Sequence, residues 1–221
     1  MIKALIFDFD GLILDTETPD YLGWQNIYQE HGFELPYDEW GRIVGGDGLS
    51  DFDAAKHLAL LSQGRLDSVS LRARHRLESG AVIARATAMP GVLDYIHAAK
   101  RLGLKLAIAS SSQHAWVDGH AKRLNIFHYF DRVICSDDVG SDRTKPNPDL
   151  FLMALKQLQV PKEAAIVFED SPNGVTAANR AGIFVVAVPN QVTEKLVIKG
   201  ANLTLSSLSE MPLITLLDKV Q

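Results

Sequence analysis

A single cysteine, Cys135, among 221 residues excludes any intramolecular disulfide, and a reducing compartment, the cytoplasm, is the expectation. Positive charge is also in short supply: 22 Lys and Arg face 27 Asp and Glu, a formal net charge of −5 at pH 7. Neutralising nucleic-acid phosphates takes a concentrated basic surface, so no nucleic-acid partner is expected. No apolar run approaches the roughly 20 residues that cross a bilayer. Asp8 and Asp10 also interrupt the opening stretch too early for a signal peptide, and no membrane partner is expected. Internal repeats, low-complexity tracts and coiled-coil heptads are missing too, and a monomer is the default. Cys135 and the seven histidines show no metal-ligand or triad spacing.

What is present is ordinary globular material. Hydrophobic residues make up 47% and charged residues 22%, enough apolar surface for a sizeable core and no reason for extended disorder. From about residue 89, short apolar runs alternate with stretches of helical period, the pattern of a parallel sheet covered by helices. The spacing predicts strands at 104–110, 132–136, 165–169 and 183–188, with helices at 92–102, 116–124, 148–158 and 173–181. Gly103 and Gly182 fall where helix ends belong. One more strand, 4–8, opens the chain and must pair with the later ones, because nothing nearby in sequence could. Residues 16 to 85 differ. Apolar positions there recur at helical spacing, from Tyr21, Trp24 and Tyr28 to Phe52, Ala55 and Leu58. They predict a helical domain of residues 16–85, with Gly45, Gly46 and Gly48 in a loop, inserted into an α/β domain of residues 1–15 and 86–221.

In an open parallel sheet, ligands bind at the carboxyl ends of the strands. Asp8-Phe9-Asp10-Gly11 follows the first predicted strand, Ser110-Ser111-Ser112 the next, and Glu169-Asp170-Ser171 a third; Lys145-Pro146 precedes a helix. Asp8 and Asp10 leave one side of an extended backbone while Phe9 leaves the other. Joined by Glu169 and Asp170 they form a hard, oxygen-rich cluster suited to Mg2+. Lys145 and the Ser110 hydroxyl suit the oxygens of a phosphoryl group. A carboxylate can attack phosphorus to give an aspartyl phosphate, and a second acid can protonate the leaving oxygen and then activate water. Asp8 is read as the nucleophile and Asp10 as the acid and base.

The series Asp8-x-Asp10-Gly11-x-x-x-Asp15, Ser110, Lys145-Pro146 and Glu169-Asp170-Ser171 resembles the four motifs of the haloacid dehalogenase-like hydrolases, in order and over nearly the whole chain. Thr16-Glu17 and the helical insertion are further similar to the subgroup of β-phosphoglucomutase and small sugar-phosphate phosphatases. The resemblance implies a Rossmann-like core with a helical cap that closes over substrate. It further implies Mg2+ held by the Asp8 carboxylate, the Asp10 backbone carbonyl and the Asp170 carboxylate, with Glu169 nearby or ligating. The Ser111 N–H would join Ser110 and Lys145 on the phosphate.

Other readings compete at single positions. Ser110 could cap the following helix. Asp15 reads as a loop or cap residue, and Asp137 and Asp138 as a solvated turn. Arg72, Arg74, His75 and Arg76 read as an exposed helix face rather than an anion-binding one, and Trp24 as core. The expected function is hydrolysis of a small phosphorylated metabolite, a sugar phosphate or a nucleotide-like compound. A phosphomutase is the alternative, although Asp20 and Gly46-Asp47-Gly48-Leu49 stand where such an enzyme is expected to carry a histidine and a phosphate-gripping arginine. A dehalogenase would need neither Asp10 nor a metal. A phospho-receiver switch would not need the helical insertion.

Overall fold

The computed structural model describes residues 1–44 and 51–220; the 45–49 loop expectations lie outside the described residues. Strand β1 (Ala4–Phe7) opens the chain, followed by α1 (Glu17–Glu30), α2 (Tyr37–Ile43), α3 (Ala54–Leu61) and α4 (Ser68–Ile83). Then come α5 (Val92–Arg101), β2 (Lys105–Ala109), α6 (His114–Arg123), β3 (Arg132–Ile134), α7 (Ser136–Val139) and α8 (Asp149–Leu158). The chain ends with β4 (Ala165–Glu169), α9 (Pro172–Ala181), β5 (Phe184–Ala187), β6 (Leu203–Thr204) and α10 (Leu213–Lys219). The strands form one parallel sheet in the order β3-β2-β1-β4-β5-β6, a Rossmann-like α/β fold.

Side-chain alternation builds the core on both faces of the sheet. Leu5, Phe7, Leu106, Ile108, Ile166 and Phe168 face the cluster that contains Val92, Tyr95 and Ile96 of α5. Phe7 and Phe168 stack there with ring centroids 4.9 Å apart. Ala4, Ile6, Ala107, Ala109, Ala165 and Val167 face the other cluster, with Leu150 and Phe151 of α8 and Val175 and Ala178 of α9. The many alanines let these two helices approach closely.

The helical segment has its own buried cluster, including Trp24, Ile27, Tyr28, Trp40, Leu58 and Leu71. Asp53 caps α3 and Asp67 caps α4 by accepting from the backbone N–H three residues on. The two connections to the sheet run side by side: Leu14 bridges Ala88, and Met89 N–H donates to Ile13 O at 2.9 Å. Segment and sheet also touch elsewhere. Tyr37 donates its hydroxyl to Val192 O, Asn173 Nδ2 donates to Val44 O at 3.1 Å, and Val192 joins the helical cluster.

Strand and helix boundaries move from the sequence expectation by one or two residues. Helix α7, strand β6 and helix α10 lie outside the sequence expectation. Helix α7 has four residues and falls where Asp137 and Asp138 read as a turn, β6 has two residues and so no period to detect, and α10 follows a serine-rich stretch ending in Pro212 that reads as loop.

Candidate active site

Register places the site. Phe7 is level with Ile108 of β2 and Phe168 of β4, so Asp8, Ser110 and Glu169 emerge together at the carboxyl edge, and Asp8 N–H still donates to Phe168 O at 3.0 Å. This is where the strand order reverses about β1, the usual ligand crevice of a doubly wound sheet.

Lys145 is the buried cation of the site. It is 1% exposed, donates to Asp8 Oδ1 and lies 2.6 Å from Glu169 Oε1. Burial alone would depress its pKa, but Asp8 and Glu169 outweigh it and hold the ammonium charged. Glu169, the last residue of β4, is braced by the turn that enters α9: Oε2 accepts from Asp170 N–H, Ser171 N–H and the Ser171 hydroxyl at 3.1–3.2 Å, where the positive end of α9 favours a carboxylate. A Cβ on Gly174 would meet the Glu169 carboxyl carbon at 1.8 Å, so this close approach requires glycine.

Asp170 Oδ2 accepts from Asn190 Nδ2 at 2.7 Å, and the same amide reaches Gly11 O at 3.3 Å. Gly11 adopts φ +82°, and a Cβ there would lie 2.2 Å from Asp170 Oδ2, so the turn after Asp10 also demands glycine. Asp8, Glu169 and Asp170 each present an oxygen within 4.8 Å of the others. One lysine does not neutralise three carboxylates. Burial, opposed by Lys145 and reinforced by Glu169 and Asp10, pushes Asp8 up to about 8. Burial with Glu169 and Asp8 raises Asp170 well above the carboxylate range. Such a shortage of positive charge among hard oxygen donors is what a divalent cation would relieve.

Asp10 stands apart from this trio. Its Oδ2 accepts from the Ser112 and Ser110 hydroxyls at 2.7 and 3.2 Å, and its Oδ1 accepts from the Trp116 indole N–H at 2.8 Å. With its carboxylate so engaged, Asp10 offers no carboxylate oxygen to the cluster of Asp8, Glu169 and Asp170, contrary to the four-acid expectation. Ser110 is no helix cap: Gln113 holds that position in α6, and Ser110 Oγ accepts from Ser112 N–H at 3.0 Å instead. Asp15 accepts from Thr18 N–H at 3.0 Å, ordering the start of α1. Asp137 and Asp138 are exposed and bind His114 and Cys135 N–H, away from the acidic cluster.

Above the acids lies a cavity of about 520 Å³ between the sheet edge and the helical segment. Ser111 Oγ and Thr16 Oγ1 are buried and without partners among the described residues, and both residues line its floor beside Asp8 and Ser110. Unpartnered buried hydroxyls call for a ligand or water to bond them. Glu17 and Asp20 of α1 line a wall. Burial raises both carboxyls; Asp20 and Asp10 add to the effect at Glu17, while His75 opposes it at Asp20.

Helix α4 corrects the sequence reading. Arg72, His75, Arg76, Ser79, Gly80 and Ile83 all line the cavity, an i, i+3, i+4, i+7 series on a single helix face. Arg72 also binds Asp53 at 2.9 Å. Arg76 is exposed as expected, although on the cavity rim, and Arg74 turns away to Glu30 and Glu78. Trp24 is core as expected, stacked on His75 at 4.2 Å, yet it also reaches the cavity. Sequence reasoning missed Trp116 and Asn190, which no motif marks. It named the basic residues of α4 but preferred the exposed-face reading, whereas Arg72, His75 and Arg76 line the cavity.

A buried lysine against a buried carboxylate, unpartnered hydroxyls and a cavity walled on one side by helices form a site suited to a phosphoryl group. Comparison with known proteins agrees. Residues 2–182 match the model of the haloacid dehalogenase-like hydrolases. YhcW of Bacillus subtilis (strain 168), whose name gives phosphatase as a presumed activity, is 44% identical over 218 residues, covering 99% of this chain and 97% of that one. The phosphorylated carbohydrates phosphatase of Thermotoga maritima is 30% identical over 182 residues, 82% of each chain. A Thermotoga maritima crystal structure described as a presumed β-phosphoglucomutase superposes with TM-score 0.75 at 26% identity over 100% of both chains. The chain belongs to the haloacid dehalogenase-like hydrolases, in the β-phosphoglucomutase-like subgroup, and is a phosphoric monoester hydrolase.

Proposed function

We propose that this protein is a Mg2+-dependent phosphatase that removes the phosphoryl group from a small phosphorylated carbohydrate through an aspartyl phosphate on Asp8. The observation that carries this reading is that Asp8, bound to the buried Lys145 behind it, meets two residues with unpartnered hydroxyls in the lining of one cavity. The 16–85 segment serves as the cap, and 1–15 with 86–221 as the catalytic domain.

In this mechanism Lys145, Ser110 and the Ser111 N–H hold the phosphoryl oxygens, with the Thr16 and Ser111 hydroxyls in reach. An Asp8 oxygen attacks phosphorus, the bond to the leaving oxygen breaks, and Asp10 donates its proton to that oxygen. Water then attacks phosphorus, gives a proton to Asp10, and inorganic phosphate leaves as the Asp8 carboxylate is restored. The residues that would hold Mg2+ are Asp8 and Asp170 by carboxylate and Asp10 by backbone carbonyl, with Glu169 bracing Lys145 beside them. When bound, Mg2+ supplies the positive charge that keeps these acids ionised and draws charge from the phosphoryl oxygens. The helical wall excludes water from the reacting centre.

The cavity walls bear on the substrate. Glu17 and Asp20 suit hydroxyl groups, and the carbohydrate specificity named for the Thermotoga maritima relative supports a polyol. Arg76 is exposed on the cavity rim. Arg76→Ala is expected to raise KM about two- to fivefold for substrates bearing a second anionic group, with kcat nearly unchanged. Steady-state kinetics on paired mono- and bisphosphorylated sugars check this.

The test of the function is phosphate release from a panel of phosphorylated sugars, nucleotides and small acids, with Mg2+ and with chelator. Turnover of sugar phosphates that chelation abolishes and Mg2+ restores is the expected result. Equal turnover in chelator would refute the metal requirement, and turnover of nucleotides alone would refute the carbohydrate assignment.

A further inference from the structure

The proposed acid and base, Asp10, is positioned by a residue that none of the four motifs includes. Trp116 Nε1 lies 2.8 Å from Asp10 Oδ1, while the two serine hydroxyls take Oδ2. The two kinds of partner differ in chemistry. A serine hydroxyl can rotate and either donate or accept, whereas an indole N–H only donates. Oδ1 is therefore held as an acceptor on Trp116, which leaves Oδ2 as the oxygen able to exchange its serine partners for the leaving group or for water.

Trp116 is itself held in place. It sits in the first turn of α6, half-buried on the cavity wall, edge-on to His120 at 4.3 Å. The start of α6 is pinned to the neighbouring strand end: His114 N–H donates to Asp137 Oδ2 at 2.6 Å, and the His114 ring lies 2.9 Å from Asp138 and 3.2 Å from Asp118. The Ser110–Ser112 loop is tied to the same place, with Ser136 N–H donating to Ser112 O at 3.0 Å. Phosphate loop, indole and Asp10 are thus fixed relative to one another.

We propose that Trp116 is a positioning residue for the reaction, whose indole N–H fixes the Asp10 carboxylate in the orientation that proton transfer requires. The inference rests on Asp10 being the acid and base, and the experiment separates the two claims. Trp116→Phe keeps an aromatic ring on the wall and removes the donor. It is expected to lower kcat about tenfold with KM within about twofold, and to have no further effect in an Asp10→Ala background. A normal kcat in Trp116→Phe while Asp10→Ala is impaired overturns the role of Trp116 alone. So does the same fractional loss in both backgrounds, which is what a merely structural residue would give. Full turnover in Asp10→Ala overturns the assignment of Asp10 and this inference with it. A readout independent of the variant's folding is the indole N–H resonance of Trp116, identified by its absence in Trp116→Phe. It is expected to shift in Asp10→Ala, and an unmoved resonance overturns the bond.

Discussion

Asp8→Asn is expected to release no phosphate from any substrate of the native protein, a loss of about 10⁴-fold or more, because an amide cannot serve as the attacking oxygen. The fold is expected to survive. Asn has nearly the same shape, and the site is over-supplied with acid: burial pushes Asp8 up to about 8 and Asp170 well above the carboxylate range. Removing one of these acids relieves repulsion, while Lys145 keeps Glu169 as partner at 2.6 Å. Thermal unfolding should therefore show a midpoint equal to or above that of the native protein, while a phosphate-release assay shows none. A variant that turns over at the native rate would remove Asp8 from the chemistry, and one that is inactive because it is unfolded would show that Asp8 holds the structure instead.

Lys145→Met should have the other large effect, on stability and activity together. It deletes the cation that serves two buried carboxylates, and removing one partner of a buried pair costs about 3–5 kcal/mol. The pH dependence gives the cause a signature. In the native protein the raised Lys145 pKa makes its contribution fully present below the ordinary lysine value, lost only as pH rises through its still higher folded value. In the variant, Asp8 loses the partner that opposes its burial, so its folded pKa lies further above the ordinary carboxylate value of about 4. Such a group binds a proton in the folded state that the unfolded chain releases, so stability falls as pH rises through that window. The gap between native and variant denaturant midpoints is expected to be widest at neutral pH and above, and to narrow toward pH about 4. A gap independent of pH would mean that the lysine contributes packing against Phe151, which its ammonium overlies at 5.3 Å, and not charge.

The candidate site's edge was legible in the sequence because strand ends are local. Asp8, Asp10, Ser110, Glu169 and Asp170 each follow an apolar run of strand length, and the parallel register brings them level. The four motifs then supplied their order. What stayed hidden depends on contacts between distant segments. Asn190 reaches Asp170 only because the loop after β5 folds back across Gly11, a contact that carries no local pattern. Trp116 looks like one more apolar residue of an amphipathic helix, and only the path of α6 past β1 brings its N–H to Asp10. The cationic face of α4 was written in periodic form, but four neighbouring basic residues do not say which of them face a partner helix. The packing of α4 beside α1 decides that, turning Arg72 and Arg76 toward the cavity and Arg74 toward Glu30.

The central claim is that Asp8 becomes covalently phosphorylated. The most direct measurement mixes enzyme, Mg2+ and a turned-over sugar phosphate, stops the reaction in acid within milliseconds, and reads intact and peptide mass. The expected result is an acid-stable adduct of one phosphoryl group mapped to Asp8 in the native protein, longer-lived in Asp10→Asn once formed, because water attack is slowed, and absent in Asp8→Asn. Turnover with no adduct in any of the three proteins, or an adduct that persists in Asp8→Asn, would contradict it.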